Sequence, residues 1–249
     1  MYDKNFISRP DIDNKLLLIM AFLRIRASGK GIIGTTIENI VENIGYIPNR
    51  RKGKINDTVV KLLKWLEENN YIFISTDVSK ISQKAYFEIE INSDNNIFNM
   101  LFTGDGDNKD TKLKPYVLLT DKEFKKIVKT NTKVNKGTLL RVFLNIKKRI
   151  SFDDKAIKIC YPSLSLIAKD CGISKGGTVY NSIKELINIG LLFEYDVGKC
   201  KTKDGKLLNV NKVYSLEELD ADGIKYAEKE ILNYLNKNGI NVDLLIHTA

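Results

Sequence analysis

The run SLSLIAKDCGISKGGTVYNSIKELINIGLLFEYDV, residues 163–197, holds the pattern from which the rest of the chain can be parsed. Ser163 stands just before the apolar-periodic residues 164–171, where its hydroxyl can accept from the first unpaired N–H groups of a helix. Gly172 marks a turn, and Ser174 is placed to cap a second helix that ends near Asn188. In that helix Val179, Ile183, Leu186 and Ile187 recur at helical spacing and predict a buried stripe. The same spacing leaves Lys175, Thr178, Tyr180, Asn181 and Lys184 facing outward. Gly190 stops the helix, and the apolar run Leu191–Val197 follows directly as a strand.

Working outward, residues 137–150 (GTLLRVFLNIKKRI) predict a helix with Leu139, Leu140, Phe143, Leu144 and Ile146 available to a core. Residues 157–161 predict a short strand closed by Pro162. Downstream, Gly198–Asn209 is a basic loop with an Asp204-Gly205 turn, and Val210–Leu216 is its partner strand.

The same order, helix–strand–helix–turn–helix–strand–loop–strand, is present earlier. Residues 14–27 form an apolar helix, ended by Ser28-Gly29-Lys30-Gly31, and Gly31–Thr35 is a short strand. Thr36–Tyr46 carries Ile37, Ile40, Val41 and Ile44 at helical spacing, and residues 48–53 break it. Ile55–Asn70 carries Val59, Leu62, Leu63 and Leu66. After Asn70 the period falls to two, so residues 71–74 and 85–91 read as paired strands joined across Asp77–Lys84. A multi-part pattern that occurs twice is much rarer by chance than one that occurs once. The expected fold is α+β, with two tandem winged helix-turn-helix modules at residues 1–99 and 117–216. Residues 100–116 read as a linker, and 217–249 as a C-terminal amphipathic helix and tail. Val117–Thr120 is expected to add a strand before a helix over 121–128. In the tail Ile224, Ala227, Ile231 and Leu235 share one stripe, a candidate face for homo-oligomer formation.

Such modules lay one helix in the major groove, where base edges present a distinct donor and acceptor code. The charge pattern suits that partner. The chain carries a net +9, distributed as +2 over residues 1–99, +10 over 100–217 and −3 over 218–249. A polyanion is therefore the expected partner, nucleic acid ahead of an anionic membrane surface. In the first module Asn49, Arg50, Arg51, Lys52 and Lys54 precede the third helix as a phosphate clamp, with a solvated basic turn as the alternative. Asn56, Asp57, Thr58 and Lys61 read as the outward face of that helix, although a carboxylate at 57 suits only a cytosine amino group. In the second module Asn181 can bond adenine bidentately, and Lys175 and Lys184 can take guanine or phosphate. Gly176 and Gly177 either let backbone approach a phosphate or widen the turn. Lys199, Lys201, Lys203 and Lys206 can follow the backbone or enter the minor groove; an ordinary solvated hairpin also accounts for them. Lys147, Lys148 and Arg149 read as cations favoured at a helix C-terminus. Aromatics are not interleaved with basic residues, so duplex is expected over single strands.

Several chemistries fail on spacing. Cys160, Cys171 and Cys200 form no C-x-x-C pair, and His247 is the single histidine, so neither a zinc set nor a histidine-based triad is expected. The run GDGDNKD (104–110) has Lys109 where a calcium loop needs oxygen and lacks the closing glutamate. Lys30 in SGKGIIGTT lacks P-loop glycine spacing. The carboxylate pairs Glu67-Glu68 and Asp153-Asp154 read as surface. The expectation is a non-enzyme without metal or cofactor. No basic-then-apolar leader opens the sequence, and the longest apolar run, Leu16–Leu23, is far short of a membrane span, so a cytoplasmic location is expected.

Two stretches carry a family resemblance: VENIGYIPNRRKGKINDTVVKLLKWLEENNYI (41–72) and SLIAKDCGISKGGTVYNSIKELINIGLL (165–192). Together they resemble the DNA-binding part of phage, plasmid and mobile-element replication initiators, with the DnaD-type replisome organisers of Gram-positive bacteria as the group named. The resemblance spans roughly residues 14–216 and implies sequence-directed duplex binding in replication initiation, beside other replication proteins. Only residues 216–249 follow the second module, so DNA recognition is implied more than helicase loading. A transcriptional regulator would use the same surface. Winged helices also serve as protein-interaction modules, against which the basic middle of the chain weighs.

Overall fold

A computed structural model describes residues 13–92, 117–150, 157–174, 176–240 and 242–246, the last four by backbone only. Its contacts divide the chain into two compact units, Met1–Leu144 and Asn145–Ala249. The architecture is mixed helix and antiparallel sheet, α+β.

The first unit is built around α1 (Asn14–Arg26), whose Asp13 cap accepts from the Lys15 N–H at 2.6 Å. Every residue from Leu16 to Leu23 is buried. A helix buried all round must lie at the centre of its unit, and α2 (Ile37–Asn43) and α3 (Ile55–Glu68) pack on it. Thr36 caps α2 through its hydroxyl, 3.0 Å from the Asn39 N–H. β1 (Ile32–Thr35), β2 (Ile72–Ile74) and β3 (Phe87–Ile91) form an antiparallel sheet in the order β1-β3-β2. Ile33 lies opposite Ile89 on its buried face.

Val117–Thr120, expected as a strand, is not one. Thr120 instead forms a capping box with Glu123 at the start of α4 (Asp121–Lys129), so its backbone belongs to a helix entry. The next helix, α5 (Lys136–Lys147), begins in close contact with the first unit. The Lys136 ammonium donates to the carbonyls of Gly45 (2.6 Å) and Val128 (2.5 Å), and burial pulls its pKa below the ordinary lysine value. Gly137 packs so closely on α1 that a Cβ there would lie 2.2 Å from the Asn14 carbonyl oxygen.

The second unit takes the last turn of α5, then β4 (Ile159–Cys160), α6 (Leu164–Asp170) and α7 (Gly176–Asn188). Ser163 caps α6, its hydroxyl 3.1 Å from the Leu166 N–H. Arg149 ties the two helices, donating to Asn145 Oδ1 at 3.2 Å and pairing with Asp170. β5 (Phe193–Tyr195) and β8 (Val213–Ser215) complete a sheet ordered β4-β8-β5, the same arrangement as in the first unit. Between them β6 (Lys199–Thr202) and β7 (Leu207–Asn209) form a hairpin.

The tail differs from its expectation in two ways. After α8 (Ala221–Lys237) the chain forms a strand, β9 (Val242–Ile246), which pairs along β6 to give a second sheet, β7-β6-β9. The apolar stripe of α8 is also occupied. Ala227 and Ile231 form a core cluster with Val197 and Val213, against which Ile159, Tyr161, Tyr195 and Leu235 pack. The stripe read as a self-association face is therefore used inside its own unit. The three cysteines are buried free thiols, and burial pushes Cys160 up to about 12. No helix among the described residues is long and apolar enough to cross a membrane.

Ile231→Ala should lower unfolding stability by about 2–5 kcal/mol in urea titration, as for any large-to-small change in a packed core. A stripe serving only self-association would leave that stability unchanged and alter sedimentation instead.

Candidate nucleic-acid interface

Helix α7 is amphipathic in the way a groove-reading helix has to be. Val179, Ser182, Ile183 and Leu186 are buried, while Tyr180, Asn181 and Lys184 are exposed. Residues 177, 180, 181 and 184 fall on one face by helical spacing. The Lys184 ammonium lies 4.6 Å from the Tyr180 ring centroid, which orients both side chains on that face. Thr178 is half-buried, and its carbonyl accepts from the buried Ser182 hydroxyl at 2.7 Å. A Cβ on Gly176 or Gly177 would meet nothing within 4 Å, so the protein's own packing gives no reason for either glycine. Lys175, Asp153, Asp154 and the 104–110 run lie outside the described residues.

The hairpin beside this unit's sheet places its lysines regularly. Lys199 and Lys201 are exposed on either side of the buried Cys200, as strand alternation requires. Lys203 and Lys206 are exposed in the turn, where Lys206 lies 3.2 Å from Asp204. Hydrogen bonds from the Thr202 hydroxyl and Lys206 hold the Asp204 carboxyl below the usual carboxylate range.

In the first unit the basic turn stands before α3 as expected, but its members do different work. Asn49, Arg51, Lys52 and Lys54 are exposed. Arg50 is engaged with Glu38 of α2, its Nε 2.6 Å from Oε1. Lys61 pairs with Asp57 at 3.2 Å, and the Gly53 N–H reaches the same carboxylate at 3.0 Å. Asp57 is therefore a local clamp on the turn, its pKa lowered first by the Lys61 hydrogen bond. Thr58 is half-buried, its hydroxyl donating to the Lys54 carbonyl at 3.1 Å.

Asn56 is not on the outward face. It is fully buried, accepting from the Asn49 N–H at 2.6 Å and donating from Nδ2 to Gln83 Oε1 at 2.6 Å. The Gln83 carbonyl in turn accepts from the Glu38 N–H at 3.2 Å. One side-chain amide thus joins the basic turn, α3 and the β2–β3 loop. Gln83 was not singled out in the sequence, and nothing in its local pattern marks it. Asn56 carried a signal: it stands three residues before Val59, on the same stripe as Leu63 and Leu66. Ser182 lies likewise three residues after Val179. No group of His, Cys, Asp and Glu among the described residues is arranged to hold a metal ion.

Asn56→Ala should cost about 1–3 kcal/mol of stability by chemical denaturation, because it leaves a buried donor and acceptor unmatched. Lys52→Ala, at an exposed position, should stay within about 0.5 kcal/mol of the parent.

Residues 150–192 match a helix-turn-helix domain family, and α6 and α7 both lie within the match. That match supports DNA binding by the second unit. No curated protein and no solved structure is similar enough to the chain to be matched.

Proposed function

We propose that this chain binds double-stranded DNA through two winged helix-turn-helix modules in tandem. In this reading it is a non-catalytic, cytoplasmic component of replication initiation for a phage, plasmid or mobile element. The observation that carries DNA binding is the exposed face of α7, with Tyr180, Asn181 and Lys184 aligned inside the matched helix-turn-helix domain. Support for the tandem reading comes from the second occurrence of one element order and one sheet order. The replication role is supported by the resemblance of residues 41–72 and 165–192 to replication initiators.

The mechanism divides contacts by what they can read. Asn181 offers a donor and an acceptor in one plane, which matches adenine in the major groove. Lys184 is a single point charge, suited to guanine or to phosphate. In the first module Arg51, Lys52 and Lys54 are exposed cations before α3 and position the duplex through phosphates. Arg50, held by Glu38, contributes less net charge there.

Fluorescence anisotropy with a duplex of about 30 base pairs should show binding that weakens steeply with salt. The log–log slope should be about −4 or steeper, as several released counterions require. At a selected site Asn181→Ala should lose about 1–3 kcal/mol of discrimination at one base pair, whereas Arg51→Ala should weaken all sequences alike and reduce the slope by about one. The double change Gly176→Ala, Gly177→Ala should raise thermal stability slightly, since alanine is the better helix former and both sites have room for a Cβ, while weakening DNA binding. Absence of duplex binding at low salt would remove the proposal.

A further inference from the structure

We infer that the groove along the open edge of β1 is a nucleotide site, in which the Gly34 backbone takes the edge of a base and Arg26 takes the phosphate. This goes beyond the duplex-binding proposal and stands on other residues.

The groove lies within the first unit, between the end of α1, β1 and α2, and has a volume of about 390 Å³, the size of a small-ligand cleft. Phe22 and Ile33, both buried, give it apolar lining. β1 is an edge strand of its sheet, paired with β3 on one side. The Gly31 carbonyl accepts from the Ile91 N–H at 2.9 Å. By antiparallel alternation Ile33 and Thr35 then bond across to Ile89 and Phe87, and Ile32 and Gly34 turn their backbone groups to the open side.

The Ile32 groups are already matched. Its N–H donates to the Ser28 hydroxyl at 3.2 Å, and its carbonyl accepts from the Ser28 N–H at 2.9 Å. Within β1 that leaves Gly34, with one donor and one acceptor side by side at the groove. An added peptide strand needs several such pairs in succession, so this edge is too short for one. A single donor–acceptor pair suits a nucleobase: adenine presents the N7 acceptor beside the N6 donor.

The other walls supply what the rest of a nucleotide needs. Asn43 Nδ2 donates to the Asn39 carbonyl at 2.8 Å and to its Oδ1 at 3.0 Å, and Asn39 Nδ2 donates to the Thr35 hydroxyl at 3.0 Å. This network fixes the α2 wall and leaves Asn43 Oδ1 as an acceptor suited to a ribose hydroxyl. Arg26 is the cation of the lining. Asp121 stands 3.9 Å from it, beyond hydrogen-bond distance, and is itself paired with Lys125. A planar guanidinium so placed can take two phosphate oxygens at once. Tyr86 lays its phenol against Gly34, where a Cβ would run into the hydroxyl, and is 67% exposed. It offers a flat aromatic surface beside the groove on which a base can stack.

The test titrates the full ¹⁵N-labelled chain with adenosine monophosphate, adenosine and inorganic phosphate. The monophosphate should shift the Gly34 amide resonance and saturate with a dissociation constant of about 1 mM or tighter. Adenosine and inorganic phosphate should each act there about tenfold more weakly. Arg26→Ala should bring the monophosphate down to the level of adenosine, and Arg26→Lys, which keeps the charge without the planar fork, should fall between. Arg26 is exposed, so the unfolding midpoints of both variants should match the parent. The site is overturned if the monophosphate gives no saturating shift at Gly34, if inorganic phosphate binds there equally well, or if Arg26→Ala binds as the parent does. Should Arg26→Ala lose duplex affinity while its nucleotide binding is unchanged, Arg26 belongs to the DNA surface and the nucleotide site falls. The nucleotide titrations contain no DNA, so duplex binding stands or falls separately.

Discussion

In each unit the last strand of the sheet is its middle one: β3 lies between β1 and β2, and β8 between β4 and β5. Everything that positions the candidate interface depends on that insertion. The first two strands cannot pair with each other, so neither sheet exists until the chain has passed through the helix pair and returned. The inserted strand then offers its buried face to the helices, as Phe87, Ile89 and Ile91 do in the first unit. The second helix of each pair, committed to burying one stripe, has its opposite face turned to solvent. An outward-facing reading helix follows from the sheet order combined with a one-sided apolar pattern.

An interface of this kind sets two demands against each other. On the proposed reading the basic turn before α3 stays exposed to meet a polyanion, and exposed turns made of cations repel themselves. The structure resolves this beneath the turn, through the buried Asn56 amide, the Asp57 carboxylate and the Arg50–Glu38 pair. These bonds fix the backbone of the turn and leave Arg51, Lys52 and Lys54 exposed. In α7 the corresponding buried polar group is the Ser182 hydroxyl, satisfied within its own helix, so that surface needs no bond from outside the helix.

The element order was legible because helical and strand periods are strong signals over runs such as Ile55–Glu68 and Phe87–Ile91. The outward positions of Tyr180, Asn181 and Lys184 were legible for the same reason, whereas Thr178, read as outward with them, is half-buried. What escaped was set by partners remote in sequence. Asn56 reads as outward with its neighbours in sequence, yet its spacing from Val59 and Leu63 puts it on the inward stripe, where it is buried. The bond of Lys136 to Gly45 joins residues whose local patterns say nothing of each other. β9 pairs with β6 through backbone groups, which carry no side-chain signature in so short a strand. The α8 stripe was visible, but a periodic stripe states only that something covers it. Here its own sheet does.

Net charge is a poor guide to where binding occurs, and the two units show why. Met1–Leu144 holds 24 Lys/Arg against 17 Asp/Glu, whereas Asn145–Ala249 holds 16 against 14. By that measure the second unit, which contains the matched helix-turn-helix domain, is almost neutral. Its charges are segregated, however. Lys199, Lys201, Lys203 and Lys206 stand on the hairpin and Lys184 on α7, while Glu217, Glu218 and Asp220 gather on the approach to α8, whose own Asp222, Glu228 and Glu230 are matched by Lys225, Lys229 and Lys237. Salt screening confines each surface charge to about 8–10 Å of influence, so a polyanion meets the local face and not the sum. The acidic segment therefore does not cancel the basic one. It can instead favour one orientation on DNA, because turning Glu217, Glu218 and Asp220 toward the phosphates would set like charges together.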